Sequence, residues 1–247
     1  MRHLLQRLVI VVALTWAQSA AAQTADEIIE KSIAAMGGRA AFDKLQSRQL
    51  TGKVSVTTPQ GDLPGTIEQL IAAPNKSRTL IKLDLSQFGM GEMAIDQRFD
   101  GTAGYVMDAM QGNRDMDGAQ LEGMKANAFP HPFLNYQARG MAVKVSGKET
   151  IGARPALLLV FEPATGSPIK QYVDAETFMP LRTTVMADVP QMGKLEQHID
   201  ASDIRDVDGV KVPYVLTMTN AMQSLTITYA TVIHNGAVDE KLFVKPQ

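Results

Sequence analysis

The sequence predicts an α+β fold that is mainly antiparallel β: a single strongly curved sheet of about eleven strands, with an N-terminal helix and a helical insertion. Three observations carry this expectation. Apolar residues recur at helical spacing only near the start, at Ile29, Ile33 and Met36, and from Gln49 onward the period is two. Short alternating runs separated by Pro, Gly, Asn and Asp then continue to His234, which is how an antiparallel sheet of hairpins is written. The alternation lapses only between Gln111 and Gln137. Because strand twist accumulates across a sheet, about eleven strands do not stay flat, and the sheet is expected to curl.

The elements follow in order. Thr24 and Glu27 have the spacing of a capping box, and Gly37-Gly38 stops the first helix. A short second helix covers Ala40 to Leu45, with Phe42 and Leu45 turned inward. Leu50 and Val54 to Thr57 lead through Pro59-Gln60-Gly61-Asp62 to a partner strand, Gly65 to Ala72. Pro74-Asn75 turns into Arg78 to Leu85, where Ile81, Leu83 and Leu85 face one way and Lys82 and Asp84 the other. Gly91 to Phe99 and Gly104 to Met110 pair across Asp100-Gly101, a type I′ hairpin signal. In the insertion Asp117 caps a helix containing Leu121 and Met124, and Pro130-His131-Pro132 turns into Phe133 to Tyr136. Strands resume at Ala142 to Ile151, Ala156 to Glu162, Ile169 to Asp174, Pro180 to Ala187, Leu195 to Arg205, Val210 to Thr219 and Ser224 to His234.

Residues 1 to 22 have the three parts of a cleavable secretory signal: basic Arg2 and Arg7, an apolar run from Leu8 to Ala17, and the small residues Ser19-Ala20-Ala21-Ala22. Cleavage after Ala22 leaves residues 23 to 247 as one domain in the periplasm, with no integral membrane insertion. Loss of Arg2 and Arg7 takes the net charge from −2 to −4, which gives no electrostatic reason to bind nucleic acid. The chain has no cysteine, which excludes disulfides, a thiolate nucleophile, zinc-thiolate sites and a lipobox anchor.

Several segments resemble the LolA/LolB-like family of outer-membrane lipoprotein-sorting and related periplasmic proteins. They are Ala25-Asp26-Glu27-Ile28-Ile29 through Met36-Gly37-Gly38, Leu50-Thr51-Gly52-Lys53-Val54, Ala73-Pro74-Asn75-Lys76-Ser77-Arg78, Phe99-Asp100-Gly101-Thr102-Ala103-Gly104-Tyr105, Tyr172-Val173-Asp174-Ala175-Glu176-Thr177 and Asp206-Val207-Asp208-Gly209-Val210-Lys211-Val212-Pro213. Their order and spacing span nearly all of residues 23 to 247. The resemblance implies an incomplete β-barrel, open on one side, with helices packed inside or over its mouth around an apolar cavity for acyl chains. LolB-type members are lipid-anchored through a cysteine, and this sequence has none.

Thirteen of the fourteen methionines lie beyond residue 22, and six of them, Met90, Met93, Met107, Met110, Met116 and Met124, straddle the expected lid. Unbranched thioethers repack around apolar ligands of variable shape. The expected cavity and lid residues are therefore Ile81, Leu83, Met90, Met93, Met107, Met110, Leu121, Met124, Phe129 and Phe133. Arg78, after the Pro-Asn turn, is the expected head-group contact at the cavity rim. His131, His198 and His234 are too scattered for a metal site and read as surface or turn residues. Asp200, Asp203, Asp206 and Asp208 lack calcium-loop spacing and read as a solvated hairpin. No nucleophile elbow, Walker A or dinucleotide motif occurs, so no catalytic residue, metal or cofactor is assigned. These readings converge on a soluble, non-catalytic periplasmic binder or carrier of lipid, acyl chains or another apolar ligand, acting in outer-membrane lipid or lipoprotein handling. The alternative is an envelope protein–protein interaction module without a small ligand.

Overall fold

A computed structural model describes residues 23–126, 129–164, 166–189 and 193–246; the expected signal at residues 1–22 lies outside them. Helix α1 (Ala25–Ala35) starts on the capping box read from the sequence. The Glu27 amide donates to Thr24 Oγ1 at 3.2 Å, and the Thr24 amide donates to Glu27 Oε2 at 3.0 Å. Its apolar stripe, Ile28, Ile29 and Ile33, is fully buried. Gly37 ends the helix at φ +125° and lies against the turn after residue 207: a Cβ there would sit 2.1 Å from the Gly209 carbonyl oxygen. Only glycine permits both that φ and that approach. Helix α2 (Arg39–Phe42) follows and buries Phe42.

Among the described residues thirteen strands form one antiparallel sheet, two more than expected. The N-terminal meander comprises β1 (Ser47–Thr58), β2 (Gly61–Ala72), β3 (Lys76–Asp84), β4 (Glu92–Phe99), β5 (Gly104–Asp108) and β6 (Arg114–Asp115). Helix α3 (Gly118–Ala126) comes next. The second meander comprises β7 (Ala142–Ile151), β8 (Arg154–Glu162), β9 (Ile169–Asp174), β10 (Pro180–Val189), β11 (Gly193–Val207), β12 (Val210–Thr219) and β13 (Ser224–His234). Strand β6 lies in the stretch read as lacking strand pattern. Two residues are too few to show a period, and it forms by pairing with Tyr105 and Val106 at the sheet edge.

The sheet order is β6-β5-β4-β3-β2-β1-β13-β12-β11-β10-β9-β8-β7. The first and last strands therefore meet in the middle, paired from Arg48 opposite His234 to Thr57 opposite Ser224 with one bulge between. Strands β6 and β7 become the two edges although they are neighbours in sequence. The residues between them connect one edge of an unclosed, curved sheet to the other.

On the outer face the C-terminal tail folds back over β2 to β4. Phe243 is 1% exposed against Leu70 and Ala72, and Lys76 pairs with Glu240. Close by, Arg78 grips Asp96 in a fork, with Nε donating to Oδ1 at 2.9 Å and Nη2 to Oδ2 at 2.8 Å, and Arg98 Nη2 also donates to Oδ2 at 2.8 Å. Burial pushes the Asp96 carboxyl up, but the hydrogen bonds and charges of Arg78 and Arg98 outweigh it and hold the carboxyl below its ordinary range. Asp96→Asn should cost about 3 kcal/mol at pH 7, because two half-buried guanidinium groups lose their counter-charge. The wild-type contribution is complete above the unfolded carboxyl value of about 3.9 and is lost as pH falls through the lower folded value. Urea unfolding should therefore show the two proteins converging in strong acid; equal midpoints at pH 7 would refute the assignment.

Candidate functional site

Register defines the inner face. Val54 on β1 lies opposite Gly65 on β2 and Ile227 on β13, and Ile227 lies opposite Leu216 on β12. Alternate residues from these positions share one side of the sheet, and that side has two unlike halves.

One half is packed. Ile28, Ile29 and Ile33 of α1, Phe42 of α2 and the segment Phe133, Leu134 and Tyr136 fill the space over Leu157, Leu159 and Phe161 of β8 and Val210 and Val212 of β12. The Phe133 and Phe161 rings stack at 5.4 Å, and Tyr136 meets Phe161 edge-on at 5.8 Å. The Tyr136 hydroxyl donates to Asp26 at the start of α1, so the crossing segment is bound to the helix as well as to the sheet. A depression of about 290 Å3 beside this contact is lined by Asp26, Glu30, Arg39 and Tyr136 and is polar in character.

Among the described residues, the apolar cluster of the other half contains none from α1, α2 or the 129–141 segment. Its floor is Leu50, Val54, Ile67 and Ile227, each buried. Around them Leu63, Ile81, Met93, Leu216, Met218 and Leu225 remain half-buried, so apolar side chains face solvent along β1 to β4 and β12 to β13.

A polar group closes one end of this trough, where the two halves meet. Arg48 donates from Nε to His234 Nε2 at 3.0 Å, and His234 Nδ1 lies 3.2 Å from Asp208 Oδ2. The imidazole is 1% exposed, and burial followed by the nearby Arg48 charge lowers its pKa despite Asp208. A neutral ring that accepts at Nε2 carries its proton on Nδ1, facing the Asp208 carboxylate. The Arg48 guanidinium lies 5.8 Å from the Phe129 ring centre, and burial lowers its pKa to about 10, so it stays charged at neutral pH. Beside it the Tyr229 hydroxyl donates to Gln69 Oε1, and Gln69 Nε2 donates to Thr79 Oγ1 at 3.3 Å. Burial raises Tyr229 to about 12.

The structure separates the residues expected to line one cavity. Ile81, Leu83 and Met93 meet on the uncovered half, with Leu83 opposite Met93. Phe133 belongs to the packed half and Phe129 packs against its edge. Leu121 and Met124 are half-buried on α3. Met107 lies opposite Asp96, so it faces outward into a depression of about 340 Å3 lined by Leu80 and Ala94. Met90 and Met110 are 49% and 67% exposed in end loops. Arg78 is committed to Asp96 on the outer face, away from the inner rim. Of the histidines read as surface or turn residues, His234 is interior as above, while His131 lies in the expected turn between the Phe42 and Phe133 rings, where burial first and the Arg48 and Arg139 charges next lower it to about 3. His198 bonds Thr184 across β10 and β11 at 2.8 Å. Among the described residues no three His, Asp or Glu side chains converge to hold a metal ion.

Arg48 had a readable signal, since it has the same parity as Leu50, Val54 and Val56 on β1. His234 did not. A bulge in β13 pairs Thr51 with Thr231 but Gly52 with Tyr229, so Ala230 is skipped and the inward parity reverses before His234.

An unclosed antiparallel sheet with helices over half of its inner face defines a half-barrel protein with a partly uncovered apolar trough. Its fold is LolA-like. A LolA superfamily protein from Nitrosomonas europaea is similar over 91% of this chain and 99% of its own, with TM-score 0.59 and 17% identity. A putative outer membrane lipoprotein-sorting protein domain from Vibrio parahaemolyticus matches over 87% and 95%, with TM-score 0.58 and 10% identity. A DUF1329 family protein from Desulfovibrio piger matches over 89% and 96%, with TM-score 0.58 and 12% identity. No family model matches the sequence, and no curated protein matches it.

The two halves should respond differently to truncation. Phe133→Ala is expected to cost about 3 to 5 kcal/mol, because a closely packed ring leaves a cavity. Ile81→Ala, already half-exposed, should cost less than about 1.5 kcal/mol. Equal losses in chemical unfolding would show that both halves are packed alike.

Proposed function

We propose that the chain is a non-catalytic periplasmic binder or carrier of an acyl chain or another apolar ligand. The observation that carries this reading is the uncovered half of the inner face, where Leu63, Ile81, Met93 and Leu216 are only half-buried over a buried apolar floor. Water against such a surface is costly, and each methylene that displaces it contributes about 0.8 kcal/mol. Export by residues 1 to 22 places the protein where lipids pass between membranes. Among the described residues no helix is long and apolar enough to cross a membrane. At one end of the trough Phe88, Met90, Met110 and Met222 project from the end loops at 45 to 67% exposure. That is where an apolar ligand enters, away from the polar group at Arg48.

Two measurements test the proposal. Native mass spectrometry of protein purified from periplasm should show a co-purifying acyl species, and palmitate should displace Nile red from the delipidated protein. Ile81→Asp sets a carboxylate in the trough and should weaken palmitate binding by about tenfold or more, with the melting temperature shifted little. A clean apo mass together with no displacement of the dye rules the reading out.

A further inference from the structure

Arg48 differs from six other arginines of the described residues. Arg39, Arg78, Arg98, Arg154, Arg182 and Arg205 each pair with a carboxylate. Arg48 is half-buried on the inner face, and among the described residues its side chain hydrogen-bonds only to a neutral imidazole. A guanidinium has five N–H donors. His234 takes the one on Nε, and among the described residues neither Nη group donates a hydrogen bond. Buried arginines are ordinarily paired, because an uncompensated cation loses hydration without return. Here the protein supplies an anchor rather than a counter-charge: Asp208 faces His234 Nδ1, His234 Nε2 holds Nε, and the Phe129 ring lies alongside the guanidinium. This fixes the plane of the guanidinium and leaves its Nη donors open.

The apolar trough leads away from that position. Arg48 and Val56 lie on the same side of β1, eight residues apart, which at about 3.3 Å per residue is about 26 Å. The floor between them, Leu50 and Val54, is apolar.

We infer that Arg48 is a carboxylate-binding residue and that the ligand is a free fatty acid, its carboxylate held by the Arg48 Nη groups and its chain lying along the trough toward the end loops. This inference rests on the proposed apolar-ligand function and adds the charge and orientation of the ligand. A planar carboxylate matches the two-pronged guanidinium, and one cation facing no acid calls for one negative charge. His234 is a positioning residue, since it acts through Arg48.

The test compares palmitate with hexadecanol, which has the same chain and no charge, by displacement of Nile red from the full-length mature protein. Wild type should prefer palmitate by about tenfold or more, as expected for a charge-assisted hydrogen bond out of bulk water. Arg48→Gln should reduce that preference to about one, and Arg48→Lys, which keeps the charge but not the fork, should retain part of it. His234→Ala should lower the preference by several fold while Arg48 remains, whereas Lys53→Gln, on the outer side of β1, should leave it unchanged. Equal binding of palmitate and hexadecanol by wild type overturns the inference and leaves the apolar-ligand reading intact, a comparison that holds even where Arg48→Gln fails to fold. A preference that survives in folded Arg48→Gln also overturns it. Binding of neither compound to wild type removes the apolar-ligand reading itself.

Discussion

Backbone hydrogen bonds between Ser47–Thr58 and Ser224–His234 tie the first strand of the sheet to the last, and this choice of neighbours sets the topology. Each meander could pair only within itself; joined at β1 and β13 they make one sheet whose edges, β6 and β7, are adjacent in sequence. The chain between those edges then has to traverse the open side. In that chain a turn-rich stretch buries Phe133, Leu134 and Tyr136 in the core. Covering one half of the inner face is thus a consequence of connectivity, as well as of apolar sequence.

The two halves of that face differ in how they are packed. The packed half supplies cohesion: aromatic rings interlock with α1, and the capping box together with the Asp26–Tyr136 bond ties helix and crossing segment to each other. Burial there contributes stability that the open half forgoes, because half-exposed Ile81 and Leu216 gain less from leaving water. A surface left apolar and uncovered is a stability cost.

Polar groups are distributed along the same line. On the outer face, cations and carboxylates neutralise one another, most fully where Arg78 and Arg98 converge on Asp96 beneath the C-terminal tail. On the inner face Arg48 donates to His234 Nε2, and the Asp208 carboxylate lies beside His234 Nδ1, so the group at Arg48 holds a cation without a carboxylate on it among the described residues. Tyr229, Gln69 and Thr79 satisfy one another beside it.

Much of this was legible in the residues. Thr24 and Glu27 announced the first helix, Gly37-Gly38 its end, Asp100-Gly101 a hairpin, and the odd-numbered alternation of Ile81, Leu83 and Leu85 their shared face. Local propensity and side-chain period act over a few residues, so sequence alone determined the class of fold, most strands and the apolar character of one sheet face. Which methionines reach that face was not local information. Met107 faces outward because its register opposite Asp96 is set across strands, and His234 faces inward because a bulge one turn of pleat earlier reverses the parity. Arg78 and Arg48 look alike as sequence, each a cation within a strand; only the tertiary structure decided that the first meets a carboxylate and the second does not. The physical reason is that a neighbouring hairpin strand brings Asp96 to Arg78, whereas pairing between the first and last strands brings His234 to Arg48, and the state of a buried charge depends on the group that pairing sets against it.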